Sequence, residues 1–137
     1  GHRLLVVEGD LPPQAARQLA QHPAAGARLF EDGFYGLCES ALRDDGFLVA
    51  QTESIHFHPD TVRSCFTTLA NRFRYADLLW GAIATYPGAF WTFGIASKNL
   101  DPRVVRRRPE VTARLYNVDA HEWHFIPPVV RNQLLGV

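Results

Sequence analysis

Short apolar runs alternate with amphipathic stretches along the chain. "RLLVVEG" (Arg3 to Gly9) is a continuous apolar run closed by glycine, the pattern of a buried parallel strand. "PPQAARQLAQH" (Pro12 to His22) follows with prolines at its start, which predicts a helix. In "EDGFYGLCESALRDDG" (Glu31 to Gly46), Phe34, Leu37, Cys38 and Leu42 fall at helical spacing and Gly46 ends the run. "FLVAQTES" (Phe47 to Ser54) reads as a second buried strand. "HPDTVRSCFTTLANRF" (His58 to Phe73) places Val62, Cys65, Phe66, Leu69 and Phe73 on one helical face behind Pro59 and Asp60. "ADLLWGAIATYP" and "AFWTFGIASK" (Ala76 to Pro87, Ala89 to Lys98) predict two strands with no helix between them, hence an antiparallel pair. Beyond Lys98 the chain is proline-broken and only partly helical, loop-rich over 99–114. The order strand, helix, strand, helix, strand, strand predicts an α/β fold, a mostly parallel sheet covered by helices with an antiparallel strand at its end.

At 137 residues the chain reads as a single domain over 1–137, long enough to bury roughly two-thirds of its unfolded surface. Hydrophobic residues at 47% and charged residues at 20% place it among globular proteins rather than disordered ones. Lys plus Arg and Asp plus Glu balance at 14 each, so bulk charge points to neither nucleic acid nor a membrane surface. Cys38 and Cys65 sit inside predicted helices without metal-ligand spacing and read as two buried thiols of a reducing, cytoplasmic compartment. No apolar run approaches the roughly 20 residues that span a bilayer. Gly1 and His2 have the look of a tag remnant and carry no weight in this reading.

Candidate chemistry is sparse. His56 and His58 stand two apart, a spacing a metal can use in a strand, but with no third ligand beside them they read as a loop entering a helix, and no metal site is expected. His121 and His124 are three apart and read as partly exposed structural histidines. "RVVRRRPE" (Arg103 to Glu110) reads as a solvated basic loop rather than a phosphate site. Ser54 and Cys65 lack a nucleophile-elbow context. Glu8 and Asp10 follow a strand, and ligands of open α/β sheets bind at the carboxyl ends of strands, though acids there also cap helices. "IATYPGAFWTFGIASK" (Ile83 to Lys98) breaks two apolar runs with an aromatic-rich turn.

Four stretches together carry a resemblance. "LFEDGFYGLCESALRDDGFLVAQTES", "HP", "TYPGAFWTFGIASKN" and "RLYNVDAHEWHFIPPVVRNQL" resemble, in order and spacing, the second half of the spermidine synthase family, the polyamine aminopropyltransferases. That family runs G-x-L-V-x-Q-x-E-S, then TYP-G-x-W-x-F-x-x-ASK, then YN-x-x-x-H-x-x-x-F. The resemblance covers about Arg28 to Leu135. It implies a methyltransferase-type, Rossmann-like fold of which this chain is only the second half. It also implies an activity: a primary amine attacks the aminopropyl carbon of decarboxylated S-adenosylmethionine, the co-substrate, and methylthioadenosine leaves. No tightly bound cofactor is implied. Tyr86, Pro87 and Trp91 match the amine pocket, whose apolar walls suit a diamine's methylenes and whose aromatic faces suit its cationic ends. Gln51 matches a substrate-binding glutamine at its strand end, and Glu53 an acid in the following loop.

The chain also departs from the family pattern. The G-G-G-[DE]-G loop that holds the adenosyl donor does not occur in these residues, nor does the D-x-x-D-P segment that carries the general base. "VVEGDLPP" (Val6 to Pro13) is the nearest match, making Asp10 or Glu8 the base. An alternative alignment sets this segment on the family's second strand and makes Glu8 the ribose-binding acid. The expectations are therefore a fragment or a shortened homologue that binds a putrescine-like diamine. As an enzyme it is an aminopropyltransferase inactive as this chain alone; otherwise it is a non-catalytic polyamine-binding or subunit-partner homologue, or an adenosylmethionine-type fold with another acceptor. An uncovered first strand would leave backbone groups unpaired, which predicts a homo-oligomer or a partner chain.

Overall fold

The structure, a computed structural model, describes residues 4–5, 32–86, 90–108, 110, 112–114 and 116–136. Glu8, Asp10, Pro87 and the helix predicted over 12–22 lie outside the described residues. The elements in chain order are β1 (Leu4–Leu5), α1 (Asp32–Ala41), β2 (Leu48–Glu53), α2 (Pro59–Arg72), β3 (Tyr75–Ala82) and β4 (Phe90–Ser97). A 3₁₀ turn (His121–His124) and α3 (Pro128–Leu135) follow.

The strands lie in the order β1-β2-β4-β3, and every pairing is antiparallel, which corrects the expected parallel sheet. The reason is the closing hairpin. β3 turns back into β4, and β4 enters the sheet between β3 and β2 rather than beyond them. Because β2 and β3 are each antiparallel to β4, they point the same way, so the strand-helix-strand unit read from the sequence is present, with a third strand inserted in it. β1, expected to be parallel, pairs antiparallel with β2 through Leu4 and Leu5 opposite Ala50 and Val49.

Alternation along the strands sets the core. Leu48, Ala50 and Thr52 of β2 and Thr92, Gly94 and Ala96 of β4 are buried on one face. There they meet Tyr35, Cys38 and Leu42 from α1 and its end, and Leu69 and Phe73 from α2 and its end. The buried stripe of α1 thus runs through Tyr35 rather than Leu37, which is 36% exposed. A second cluster gathers Val62, Leu78, Ile126 and Leu134, with Phe66, Trp80 and Val130 packed against it. In α2 the stripe Val62, Cys65, Leu69 is as the spacing predicts, behind Pro59 in the first turn and Asp60 beside it. Gly94 permits a close approach of helix to sheet: a Cβ there would lie 2.5 Å from Leu69 Cδ1.

The segment after β4 is stitched back onto the sheet. Ser97 Oγ donates to the Gly46 carbonyl at 2.8 Å and Lys98 Nζ to the Leu42 carbonyl at 2.6 Å, closing the end of α1. Arg103, read from the sequence as part of a solvated run, instead donates through Nε to the buried Asp77 carboxylate at 2.6 Å and through Nη1 to Glu122 at 2.7 Å. Its guanidinium lies 4.4 Å over the Phe125 ring. Among the described residues no helix is long and apolar enough to cross a membrane.

Candidate functional site

One end of the sheet collects the residues the sequence singles out. β2 ends at Glu53, β4 begins at Phe90, and β3 runs out through Ala82 toward Tyr86, so the register brings Gln51, Glu53, Trp91 and the hairpin turn to the same end. The turn is closed by the Tyr86 amide donating to the Ile83 carbonyl at 3.0 Å. It presents Tyr86, 40% exposed, against Trp91 with ring centroids 4.4 Å apart. The Trp91 indole N–H is buried and has no hydrogen-bond acceptor among the described residues. On the other face of this hairpin Trp80 stacks on Phe90 at 4.9 Å.

Gln51 lies directly opposite Phe93, so it shares the sheet face of Trp91, two residues away along β4. The structure therefore brings Tyr86, Trp91 and Gln51 to one face. Glu53 is placed differently. The pairing advances from Gln51 opposite Phe93 to Glu53 opposite Thr92, leaving Thr52 as the extra residue of a β-bulge. The bulge sets Glu53 opposite Thr92, and its charge reaches Cys65 of α2. The expectation of Glu53 in the following loop is thus corrected: it is the last residue of the strand, with φ at +106°. A left-handed backbone at a non-glycine residue costs of order 1–3 kcal/mol and persists only where its surroundings enforce it.

Those surroundings are two buried hydroxyls that no motif position marks. Thr92 Oγ1 donates to the Glu53 carbonyl at 2.6 Å. Its single proton is used there, so in the 2.8 Å contact between the two hydroxyls Thr52 is the donor and Thr92 the acceptor. Both threonines are fully buried. Below them, burial pushes the Cys65 thiol up to about 11, with the neighbouring Tyr35 hydroxyl opposing the rise and the Glu53 charge adding to it. Burial likewise pushes Cys38 up to about 12 and the Tyr35 phenol above its ordinary range.

The remaining candidates fall elsewhere. His56 and His58 are exposed in the turn before α2, where Ser54 Oγ accepts from the His56 and Phe57 amides. His121 is held through both ring nitrogens, by the Tyr116 hydroxyl at 3.1 Å and the Pro102 carbonyl at 2.9 Å, and His124 stacks on Tyr116.

The profile of the spermine/spermidine synthase domain matches residues 18–107, a stretch that holds Gln51, Glu53, Tyr86 and Trp91. The chain belongs to the spermine/spermidine synthase family. It is 37% identical over 108 residues to polyamine aminopropyltransferase 1 of Aquifex aeolicus, covering 79% of this chain and 39% of that protein. It is 40% identical over 108 residues to the polyamine aminopropyltransferase of Desulforudis audaxviator, covering 77% and 38%. The crystal structure of spermidine synthase from Thermotoga maritima superposes with a TM-score of 0.67 at 28% identity over 79% of this chain and 40% of that one. The chain thus spans about two-fifths of the length of the curated relatives it matches. Within the family pattern, Thr52 and Thr92 fall at the unspecified positions of Q-x-E-S and W-x-F, so nothing in the sequence drew attention to them.

Proposed function

We propose that this chain is the amine-binding part of a polyamine aminopropyltransferase, acting on a putrescine-like diamine. The observation that carries the reading is the Tyr86–Trp91 ring pair set on the same sheet face as Gln51. Two aromatic faces beside a primary amide suit a ligand with an apolar methylene chain and cationic ends. Glu53, at the same end of β2, supplies a counter-charge for one ammonium. Pro87, which lies outside the described residues, is assigned to the same pocket by the family pattern alone.

The reaction joins the deprotonated amine nitrogen to the aminopropyl carbon of decarboxylated S-adenosylmethionine. The carbon–sulfur bond breaks, its electron pair stays on sulfur, and methylthioadenosine leaves. The surplus proton of the amine passes to a carboxylate, Asp10 or Glu8. A carboxylate near its ordinary pKa is a weak base for an ammonium near 10, so orientation and a desolvated, raised carboxyl have to narrow the gap. With no G-G-G-[DE]-G loop in these residues, the donor is expected to bind this chain weakly or not at all.

Calorimetry on this chain tests both halves of the reading. Putrescine is expected to bind, Trp91→Ala to weaken it about tenfold through loss of the cation–π face and the apolar wall, and methylthioadenosine to give no micromolar binding. Putrescine affinity unchanged in Trp91→Ala and Glu53→Gln would remove the site. A micromolar constant for methylthioadenosine would overturn the account of the donor. Aminopropyl transfer by this chain alone would show it to be a complete catalyst rather than a binding part.

A further inference from the structure

We infer that Thr52 and Thr92 are positioning residues for Glu53, forming a buried hydroxyl relay that fixes where its carboxylate stands. The inference rests on the amine-binding reading above and names what holds its acid in place. Three observations converge. The chain inserts an extra residue between Gln51 and Glu53, so that the register shifts and Glu53 lies opposite Thr92. Glu53 is the one non-glycine residue with positive φ among the described residues, at +106°. The Thr92 hydroxyl donates to the carbonyl of that same residue at 2.6 Å, while accepting from Thr52 at 2.8 Å, with both side chains out of contact with water.

The chemistry requires both hydroxyls in this arrangement. A bulge takes backbone groups out of the ladder, and a carbonyl released in the interior needs another donor. Valine has the shape of threonine but no hydroxyl, and would leave the Glu53 carbonyl and the Thr52 hydroxyl without their partners. In a low-dielectric interior, two hydrogen bonds in series strengthen each other, so the relay resists rotation about the Glu53 φ more than one bond would. If the bulge relaxed to a regular ladder, the Glu53 backbone would rotate out of its present φ and carry the carboxylate away from where the bulge sets it. The relay therefore decides where at the end of β2 the carboxylate stands. Gly94 and Leu69 border it, the Thr52 Cγ2 lying 3.3 Å from where a Gly94 Cβ would stand, which leaves little room for the bulge to shift.

The test combines putrescine titration with NMR of glutamate-labelled protein, reading the Glu53 amide coupling for φ and its carboxyl signal for position. Thr92→Val should move the Glu53 signals and weaken putrescine about tenfold, the scale of a lost buried hydrogen bond. Thr92→Ser, which keeps the hydroxyl, should restore both readings. Thr52→Val, which leaves the Thr92 to Glu53 bond intact, should give a smaller shift. In a Glu53→Gln background Thr92→Val should change putrescine affinity little, because the carboxylate it positions is already gone. An equal loss with and without Glu53, or Glu53 signals in Thr92→Val matching those of the unaltered chain, would overturn the inference. Should Thr92→Val fail to fold, Thr52→Val and Thr92→Ser decide, unshifted Glu53 signals in Thr52→Val counting against the relay. If the unaltered chain does not bind putrescine, the amine-binding reading fails, while the Glu53 signals still decide whether the hydroxyls hold the residue.

Discussion

Glu53 shows how far single residues were legible. Its identity as a site candidate comes from a motif, but its pairing opposite Thr92 comes from a bulge, and a bulge is a property of two strands in register rather than of either sequence. Tyr35 is a similar case, its hydroxyl masking a residue that is fully buried in the α1 stripe. Gly94 was silent in the sequence and is decisive in the packing. Gly94→Ala would set a methyl 2.5 Å from the fully buried Leu69 Cδ1, and is expected to cost about 1–3 kcal/mol in urea unfolding by overpacking. Leu69→Ala in the same chain should make room and reduce the cost of the added methyl. The two thiols give a pH dependence with a defined sign. Cys38 and Cys65 stay protonated in the fold to about 12 and about 11, whereas exposed thiols ionise from 9.0. The unfolded chain thus releases protons first, so the thiols' contribution to stability is constant below pH 9 and falls as pH rises from there toward those values. The slope expected from urea midpoints is roughly 1 kcal/mol per pH unit for each thiol, and Cys65→Ala should lessen it. A flat profile to pH 10.5 would show that the thiols gain water before global unfolding.

At the scale of elements, the alternation of apolar runs and amphipathic stretches located α1, α2 and the last three strands to within a few residues. It did not give their neighbours. A short apolar strand does not tell parallel from antiparallel neighbours, and β2, flanked by antiparallel β1 and β4, is buried on one face and half-buried on the other. The hairpin signal between β3 and β4 was correct, but the position of β4 between β2 and β3 depends on long-range pairing that local pattern does not encode. The end of α1 is fixed by the "ASK" segment rather than by its own residues. Ser97 Oγ donates to the Gly46 carbonyl and accepts from the Leu100 amide, inside the core. Ser97→Ala leaves both without their partner and is expected to cost about 1–3 kcal/mol. Amide exchange in α1 should quicken beyond that in β3, because the loss is local to the loop that seats the helix. Uniform acceleration across all elements would place the effect in global stability instead.

For the whole molecule, the polar tie between sheet and tail sits at the opposite end from the amine candidates. Asp77 lies opposite Ile95, two residues into β3, whereas Trp91 and Gly81 face each other near its far end. The buried Asp77 carboxylate accepts from the Leu78 amide and from Arg103, with Arg131 of α3 at 3.6 Å. Arg103 then reaches Glu122 and covers Phe125, so one side chain links the sheet, the loop after β4 and the 3₁₀ turn. Removing one member of a buried pair is costly mainly because it strands the other charge. Arg103→Ala is accordingly expected to cost about 3 kcal/mol, the low end for such a pair because Arg131 remains near Asp77. Asp77→Asn added to Arg103→Ala should recover part of that loss, since no uncompensated carboxylate is then left in the interior, and the two changes should be strongly non-additive. Because the tie is remote from Tyr86 and Trp91, putrescine affinity should stay within about twofold in Arg103→Ala at temperatures where it remains folded. Urea unfolding of the single and double variants, with putrescine titration alongside, separates the two roles. Additive stability losses would show that Arg103 acts by packing on Phe125 alone, and a matching loss of amine affinity would show that the two ends of the sheet are coupled.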